Sequence, residues 1–363
     1  MSRVRGLGSS VGGEVTPVTI CHVADLDRAG EIISEAVGAG RIPGVVASVG
    51  RGPRTLATWA AGQADTTTGS ARPMAPDTIF DLASLTKVVA TTPAALALAG
   101  MGRLSLSDPV RRYLPAADGV TIRHLLTHTS GLPGSLKFYQ WCSSRDELLR
   151  DLRETPLVAP PGTTVAYSDP GFITLGEIVA AVAGEPLDSV VRHLVTEPLG
   201  MTDTGYTPAL PPERFAATEL RDDGVPWTGV VHDENARLMG GVAGHAGVFS
   251  TAADLAAFAA WWVGDSSGPI PSALRREAES CQTPGLDGCR GLGWVLAGDR
   301  FDFSGGRWPA VSHSGFTGTS LALDARSGVW VVLLTNAVHF GRDSTAVKAL
   351  RLAVHSAVAE ALI

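Results

Sequence analysis

The chain has 363 residues, 45% of them apolar and 18% charged, with a net charge of −7 and a pI near 5.7. That is enough apolar material for one large or two ordinary globular domains, at roughly 150 residues each. The acidic balance, with no basic stripe, excludes nucleic acid and anionic membranes as expected partners.

In chain order, residues 1–20 are Gly/Ser/Arg-rich and read as a flexible tail. They lack the apolar block of a secretory signal. Leu26, Ile32, Ile33, Ala36 and Val37 set the spacing of an amphipathic helix that stops at Gly38-Ala39-Gly40. Val45–Val49 and Thr55–Ala61 are β-prone runs joined by Gly50-Arg51-Gly52-Pro53, a hairpin. From Ser84 to about Met239 the pattern is helical: Val88–Leu98, Leu125–Leu126, Glu147–Leu152, Phe172–Val182 and Leu187–Leu194, broken by stretches such as Pro160-Pro161-Gly162. A helix over Leu255–Val263 follows. β patterns then return at Gly291–Leu296, Ala310–Ser314, Thr319–Asp324 and Val329–Asn336, and a helix over Ser344–Leu362 closes the chain. No run of about 18 apolar residues marks a membrane span. Cys21, Cys142, Cys281 and Cys289 form no C-x-x-C pair. With no export signal, reduced thiols and a cytoplasmic location are the expectation, although Cys281 and Cys289 are spaced to bridge a loop.

Strands at both ends around a helical block predict an α+β fold. One antiparallel sheet is assembled from residues 21–83 and 250–363, and residues 84–249 are inserted as a mostly helical lobe. The cleft between two such lobes is where a small-molecule site forms.

Ser84-Leu85-Thr86-Lys87 sits at the handover between them. Three residues apart, serine and lysine share a helical face, and a desolvated amine can take the proton of a hydroxyl. Only Lys87, Lys137 and Lys348 are lysines among 29 cationic residues. Arginine cannot serve where a neutral amine is needed. The structural alternative is a helix start, with Ser84 as cap and Lys87 in solvent. Two further elements join them. Tyr167-Ser168-Asp169 brings a hydroxyl able to relay a proton beside a lysine. In His313-Ser314-Gly315-Phe316-Thr317-Gly318, Gly315 lets an acyl group lie against the strand, and the N–H groups of Ser84 and Phe316 can form an oxyanion hole.

With these residues the chain resembles the serine β-lactamase and penicillin-binding protein superfamily, most of all its class C β-lactamase and family VIII carboxylesterase branch. Ordered matches include Ile42-Pro43-Gly44, Thr121 to Leu132, Gly240 to Thr251 and Gly291-Leu292-Gly293-Trp294. The resemblance implies a five-stranded antiparallel sheet flanked by helices plus an all-helical lobe. It implies Ser84 as acylated nucleophile, Lys87 as activating amine, Tyr167 as partner base, and His313 orienting substrate and supporting the Tyr167 hydroxyl. Asp169 stands at an expected substrate-binding position where asparagine is typical, and His313 where lysine is; both changes argue against efficient β-lactam turnover. Asp169 beside Lys87 would also favour the ammonium. The expected activity is an acyl-enzyme hydrolase of small esters, amides or β-lactams without a cofactor. The first alternative is an acyltransferase passing the acyl group to an amine or alcohol; a D-Ala-D-Ala carboxypeptidase and a non-catalytic binding protein that kept the cleft rank behind it.

Secondary candidates are Trp141, with Phe138 and Tyr139, as an acyl-pocket wall; His245, in a glycine-rich loop, as a substrate contact; and Trp227, His232 and Asp233 as a cap. His124 and His128 read as structural hydrogen bonders. Gly8-Ser9-Ser10-Val11-Gly12 matches a nucleophile elbow but lacks the strand before it and the helix after it.

Overall fold

A computed structural model describes residues 26–115, 118–264, 267–303, 308 and 311–363. The expected tail, with the 8–12 motif, lies outside the described residues. In chain order the elements are α1 (Asp27–Gly38), β1 (Gly44–Arg51), β2 (Arg54–Asp65), β3 (Arg72–Pro73), β4 (Phe80–Asp81) and α2 (Thr92–Gly100). Next come α3 (Ile122–Leu126), α4 (Arg145–Glu154), α5 (Asp169–Ala183), α6 (Leu187–Val191), β5 (Gly205–Tyr206), α7 (Glu234–Leu238) and β6 (Val248–Ser250). The last are α8 (Ala252–Val263), α9 (Ser272–Ala278), β7 (Val295–Leu296), β8 (Val311–Ser314), β9 (Ser320–Asp324), β10 (Val329–Thr335) and α10 (Thr345–Leu362).

Both chain ends supply one antiparallel sheet, ordered β3-β2-β1-β10-β9-β8-β7. N- and C-terminal strands meet where β1 pairs β10, Val45 opposite Thr335 through Arg51 opposite Val329. Side chains alternate between two cores, as the two-residue period of a strand requires. Val329, Val331 and Leu333 pack with Ile33 of α1 and Val354 of α10 on one face. Trp330, Val332 and Leu334 pack with α2, α5 and α8 on the other. A sheet covered on both faces explains why β10 is apolar at every position.

Seven strands replace the five expected. The five longer ones, β2, β1, β10, β9 and β8, are extended by the two-residue edge pieces β3 and β7. The predicted 291–296 strand shrinks to β7 because Gly293, at φ +82°, turns the chain and donates its N–H to Leu126 O at 2.8 Å. A second small sheet, β4-β6-β5, leads into the turn that carries Ser84.

The helix predicted from Val88 is preceded by a 3₁₀ turn at Ala83–Leu85 and a π turn at Lys87–Thr91. Pro93 follows directly, and the N–H it lacks leaves the preceding carbonyls free to take the wider turn. Together Ala83–Gly100 is a continuous 18-residue helical run of mean hydropathy 1.2, long enough and apolar enough by composition to span a bilayer although it is not an unbroken apolar run. Within this fold 83% of it is buried, as a core helix.

Candidate active site

The turn that carries Ser84 is tied down before Ser84 is reached. Ala83 takes a left-handed φ of +45°, a conformation that persists only when neighbours impose it. Asp81 Oδ1 accepts the Ala83 N–H at 2.8 Å and its Oδ2 accepts the His232 N–H at 2.6 Å. From β8–β9, the Thr317 hydroxyl donates to Asp81 O at 2.7 Å and the Thr319 hydroxyl to Leu82 O at 3.0 Å. One bond within the turn and three from two other segments thus aim the half-buried Ser84 into a cavity of about 250 Å³. Tyr167, Arg290, His313, Gly315 and Phe316 share its wall.

Lys87 is fully buried, one turn after Ser84. Its Nζ donates to Ser84 Oγ at 3.0 Å and to the His245 carbonyl at 3.0 Å, and lies 2.8 Å from Asp169 Oδ1. Burial pushes the amine down, but Asp169 first and Tyr167 second outweigh it and hold its pKa above the ordinary lysine value. The resting group is therefore an ammonium. The uncharged amine expected from the sequence is not the ground state, because α5 begins at Asp169 and delivers the carboxylate straight to Nζ.

Tyr167 lies across Lys87, whose Nζ is 4.9 Å from the ring centroid. Its hydroxyl interacts with both Ser84 and Lys87. Burial raises the phenol's pKa, Lys87 pulls it back, and burial wins. The loop carrying Tyr167 is anchored by His128, which is itself in the left-handed region at φ +57°. His128 Nδ1 accepts the Ser168 N–H at 3.0 Å and its ring packs 4.7 Å from Tyr167. That is the structural role read for it.

His313 is buried on β8. Its Nδ1 faces Ser314 O at 3.0 Å, which puts the proton there and leaves Nε2 as an acceptor without a partner among the described residues. Burial, then Lys87 and Arg290, keep the imidazole neutral. It packs on Tyr167 with ring centroids 6.0 Å apart, but no hydrogen bond joins the two. The Phe316 N–H, outside any helix or strand, has no protein acceptor among the described residues. Gly315 admits no side chain, since a Cβ there would collide with Thr319 Oγ1 and the Leu82 carbonyl. The Phe316 ring is 54% exposed and stacks on His232 at 5.7 Å.

Three expected substrate contacts lie elsewhere. Asp169 turns its carboxylate to Lys87 and does not line the cavity. The His245 ring is buried against Asp233, Nε2 to Oδ1 2.8 Å, so only its carbonyl reaches the site. Trp141 is exposed, donates its indole N–H to Asp151 at 2.8 Å and forms no part of the cavity wall; Phe138 beside it is core. Of the expected cap, His232 backs Phe316 and Asp233 holds His245. Trp227 is packed by Arg237 at 4.1 Å.

Two arginines were missed. Arg290 is buried with Asp299, Nε to Oδ2 3.3 Å, and Arg351 of α10 is buried with no acidic partner among the described residues. The second had a readable signal: it shares the apolar stripe of α10 with Val347, Leu350 and Val354.

Residues 30–355 match the family model described as Beta-lactamase. This chain belongs to the beta-lactamase family. Within the family it is 33% identical to the esterase EstB of Burkholderia gladioli over 387 aligned positions, covering 91% of this chain and 95% of that protein. It is 32% identical to the N-acetylmuramyl-L-alanine amidase of Bacillus subtilis, covering 86% of this chain and 81% of that one. Among solved structures, EstCE1, described as a hydrolase with promiscuous acyltransferase activity, superposes with a TM-score of 0.73 at 26% identity over 91% of this chain and all of that one. Beta-lactamase-family relatives are esterases, carboxypeptidases and acyltransferases, and the chain is an enzyme of this family with its α+β fold.

Proposed function

We propose that this enzyme is a serine esterase working through an acyl-enzyme on Ser84. The observation that carries the reading is Ser84 Oγ held 3.0 Å from Lys87 Nζ at the edge of a cavity it shares with Tyr167. Reaction begins once the Lys87–Tyr167 pair has lost one proton, giving a base beside the serine. That base takes the Ser84 proton as Oγ bonds to the ester carbonyl carbon, and the carbonyl electron pair moves onto oxygen, facing the Ser84 and Phe316 N–H groups. Collapse re-forms the carbonyl and breaks the bond to the leaving alkoxide, which receives the proton held by the pair. Water repeats the sequence in reverse and frees the acid.

Esters are favoured over β-lactams for two reasons. The neutral His313 brings no fixed positive charge, and Asp169 offers a carboxylate, committed to Lys87, in place of an amide donor. The similarity to EstB supports the same choice. An alcohol or amine in place of water would turn the same acyl-enzyme to transfer. The EstCE1 likeness supports keeping that as the second reading.

Intact-mass measurement after a fluorophosphonate should show one adduct on the wild type and none on Ser84→Ala, with hydrolysis of an activated ester lost in parallel. A wild type left unmodified, or a Ser84→Ala variant that still turns over ester, removes the reading. Adding an amine panel to the ester assay separates the acceptors: amide product marks transfer, acid alone marks hydrolysis.

A further inference from the structure

We propose that Arg351 is a positioning residue for the oxyanion hole, its guanidinium seated behind the Gly315–Phe316 peptide and polarising the Phe316 N–H. This rests on the acyl-enzyme reading above. Arg351 NH2 donates to Gly315 O at 2.9 Å and to Thr319 O at 3.0 Å. Those carbonyls bracket the turn 315–319, which is itself closed by Gly315 N–H to Thr319 O at 2.7 Å. The Gly315 carbonyl and the Phe316 N–H belong to one peptide unit. A charged donor on the carbonyl oxygen draws electron density along the conjugated C–N bond and leaves the N–H more positive. The charge thus acts on the oxyanion through the peptide, and also as a field across a low-dielectric wall.

The absence of a counter-ion is what makes this more than a turn anchor. Arg351 is 6% exposed, and no carboxylate pairs with it among the described residues. Burial alone brings its pKa down to about 10. Its Nε also has no partner. A buried unpaired cation is costly, and a methionine would fill this stripe of α10 without that cost. The other interior arginine beside the cavity, Arg290, is neutralised by Asp299. Lys348, which also lines the cavity, is exposed to solvent, whereas Arg351 brings a buried positive charge without a carboxylate partner among the described residues to the back of the Gly315–Phe316 peptide, where negative charge develops only during reaction.

The test compares Arg351→Met and Arg351→Lys with the wild type on a neutral activated ester. It reads kcat and KM separately, the affinity of a boronic acid that forms a tetrahedral anion on the serine, and the melting temperature. Deleting a direct oxyanion donor costs about 10²–10³-fold. Acting one peptide removed, loss of Arg351 should lower kcat about 10- to 50-fold, leave KM within about 2-fold, and weaken the boronate by the same factor as kcat. Lysine, which keeps the charge, should recover most of the loss. A methionine variant with wild-type kcat overturns the proposal. So does one whose kcat falls while boronate affinity holds, since the loss then lies outside the oxyanion hole. If methionine does not fold, Arg351→Gln, which keeps hydrogen-bond donors without the charge, decides: kcat and boronate affinity falling together support the proposal, and wild-type values for both refute it. A wild-type enzyme that takes no fluorophosphonate on Ser84 is a separate result; it removes the acyl-enzyme reading and this inference with it.

Discussion

Replacing Asp169 by asparagine tests the electrostatic reading of the site most directly. Unit charges 2.8 Å apart interact by about 6 kcal/mol at an effective dielectric near 20. That is an upper bound, because the carboxylate is partly open to solvent, its side chain being 21% exposed. A carboxylate next to a cation commonly shifts a pKa by about 1–3 units. Both Lys87 and Tyr167 now stand above their ordinary values, so a base forms in the wild type only at alkaline pH. Its kcat/KM should climb from pH 7 to beyond pH 9 with no plateau at neutrality. Asp169→Asn removes what holds the ammonium and should move that limb to lower pH by about 1–3 units. A weaker base is also a poorer one, so the gain at pH 7 is smaller than the shift alone suggests, about 3- to 30-fold on an activated ester. The assay is kcat/KM between pH 6 and 10, with melting temperatures confirming that both proteins stay folded. An unmoved or more alkaline limb refutes the reasoning. So does activity lost at every pH, which would make Asp169 the terminal proton acceptor.

Two other outcomes follow from geometry. Gly315→Ala places a methyl group against the Leu82 carbonyl and Thr319 Oγ1, and backbone beside Ser84 must move; a displacement near 1 Å should lower kcat about 100-fold, as read in steady-state ester kinetics. Wild-type kcat in that variant would show the turn to be slack. Acid should destabilise the fold through its buried histidines. Burial holds the His355 pKa at about 4 against 6.5 when exposed, so the unfolded chain binds the extra proton between those values. Stability is then lost as pH falls from about 6.5 to 4, up to about 3 kcal/mol from this residue. His128 and His313 act in the same direction. Urea unfolding at pH 7 and pH 5 should show the loss, and a smaller one in His355→Gln.

The sheet was legible because its strands carry their own signals. Val45–Val49 and Val329–Asn336 are dense in β-branched residues, and Gly52, at φ +52°, marks the hairpin. The grouping of Ser84, Lys87, Tyr167 and His313 around one cavity was legible because each motif depends on local chemistry that few residues can supply. The edge strands were not. β3 is two residues, Arg72-Pro73, whose pairing is set by the partner strand and by no propensity of its own. Trp141 was misjudged for a related reason. An aromatic beside a cleft in sequence order can turn either way, and the indole N–H followed Asp151.

The state of Lys87 shows where sequence reasoning stops. Ser84, Lys87 and Asp169 were all in view, and the conflict between a base and a carboxylate partner was evident from the residues alone. Its outcome was not, because it is the difference between two large opposed effects. Burial favours the neutral amine and the ion pair favours the charged one, and each depends on atomic positions. A shift of 1 Å in the start of α5 would weaken the pair, while the burial of Lys87, fixed by the core helix, would stay the same. The helix cap settles the matter: Ser168 Oγ accepts the Gly171 N–H at 3.1 Å and donates to Pro133 O at 2.7 Å. That pins Asp169 in the first turn, with its backbone N–H on Gly134 O at 2.9 Å. The carboxylate therefore belongs to a rigid element, and the ammonium it sustains is a property of the fold. On the acyl-enzyme reading proposed above, the base then comes from the alkaline side of the pH range, because Lys87 and Tyr167 both stand above their ordinary pKa values.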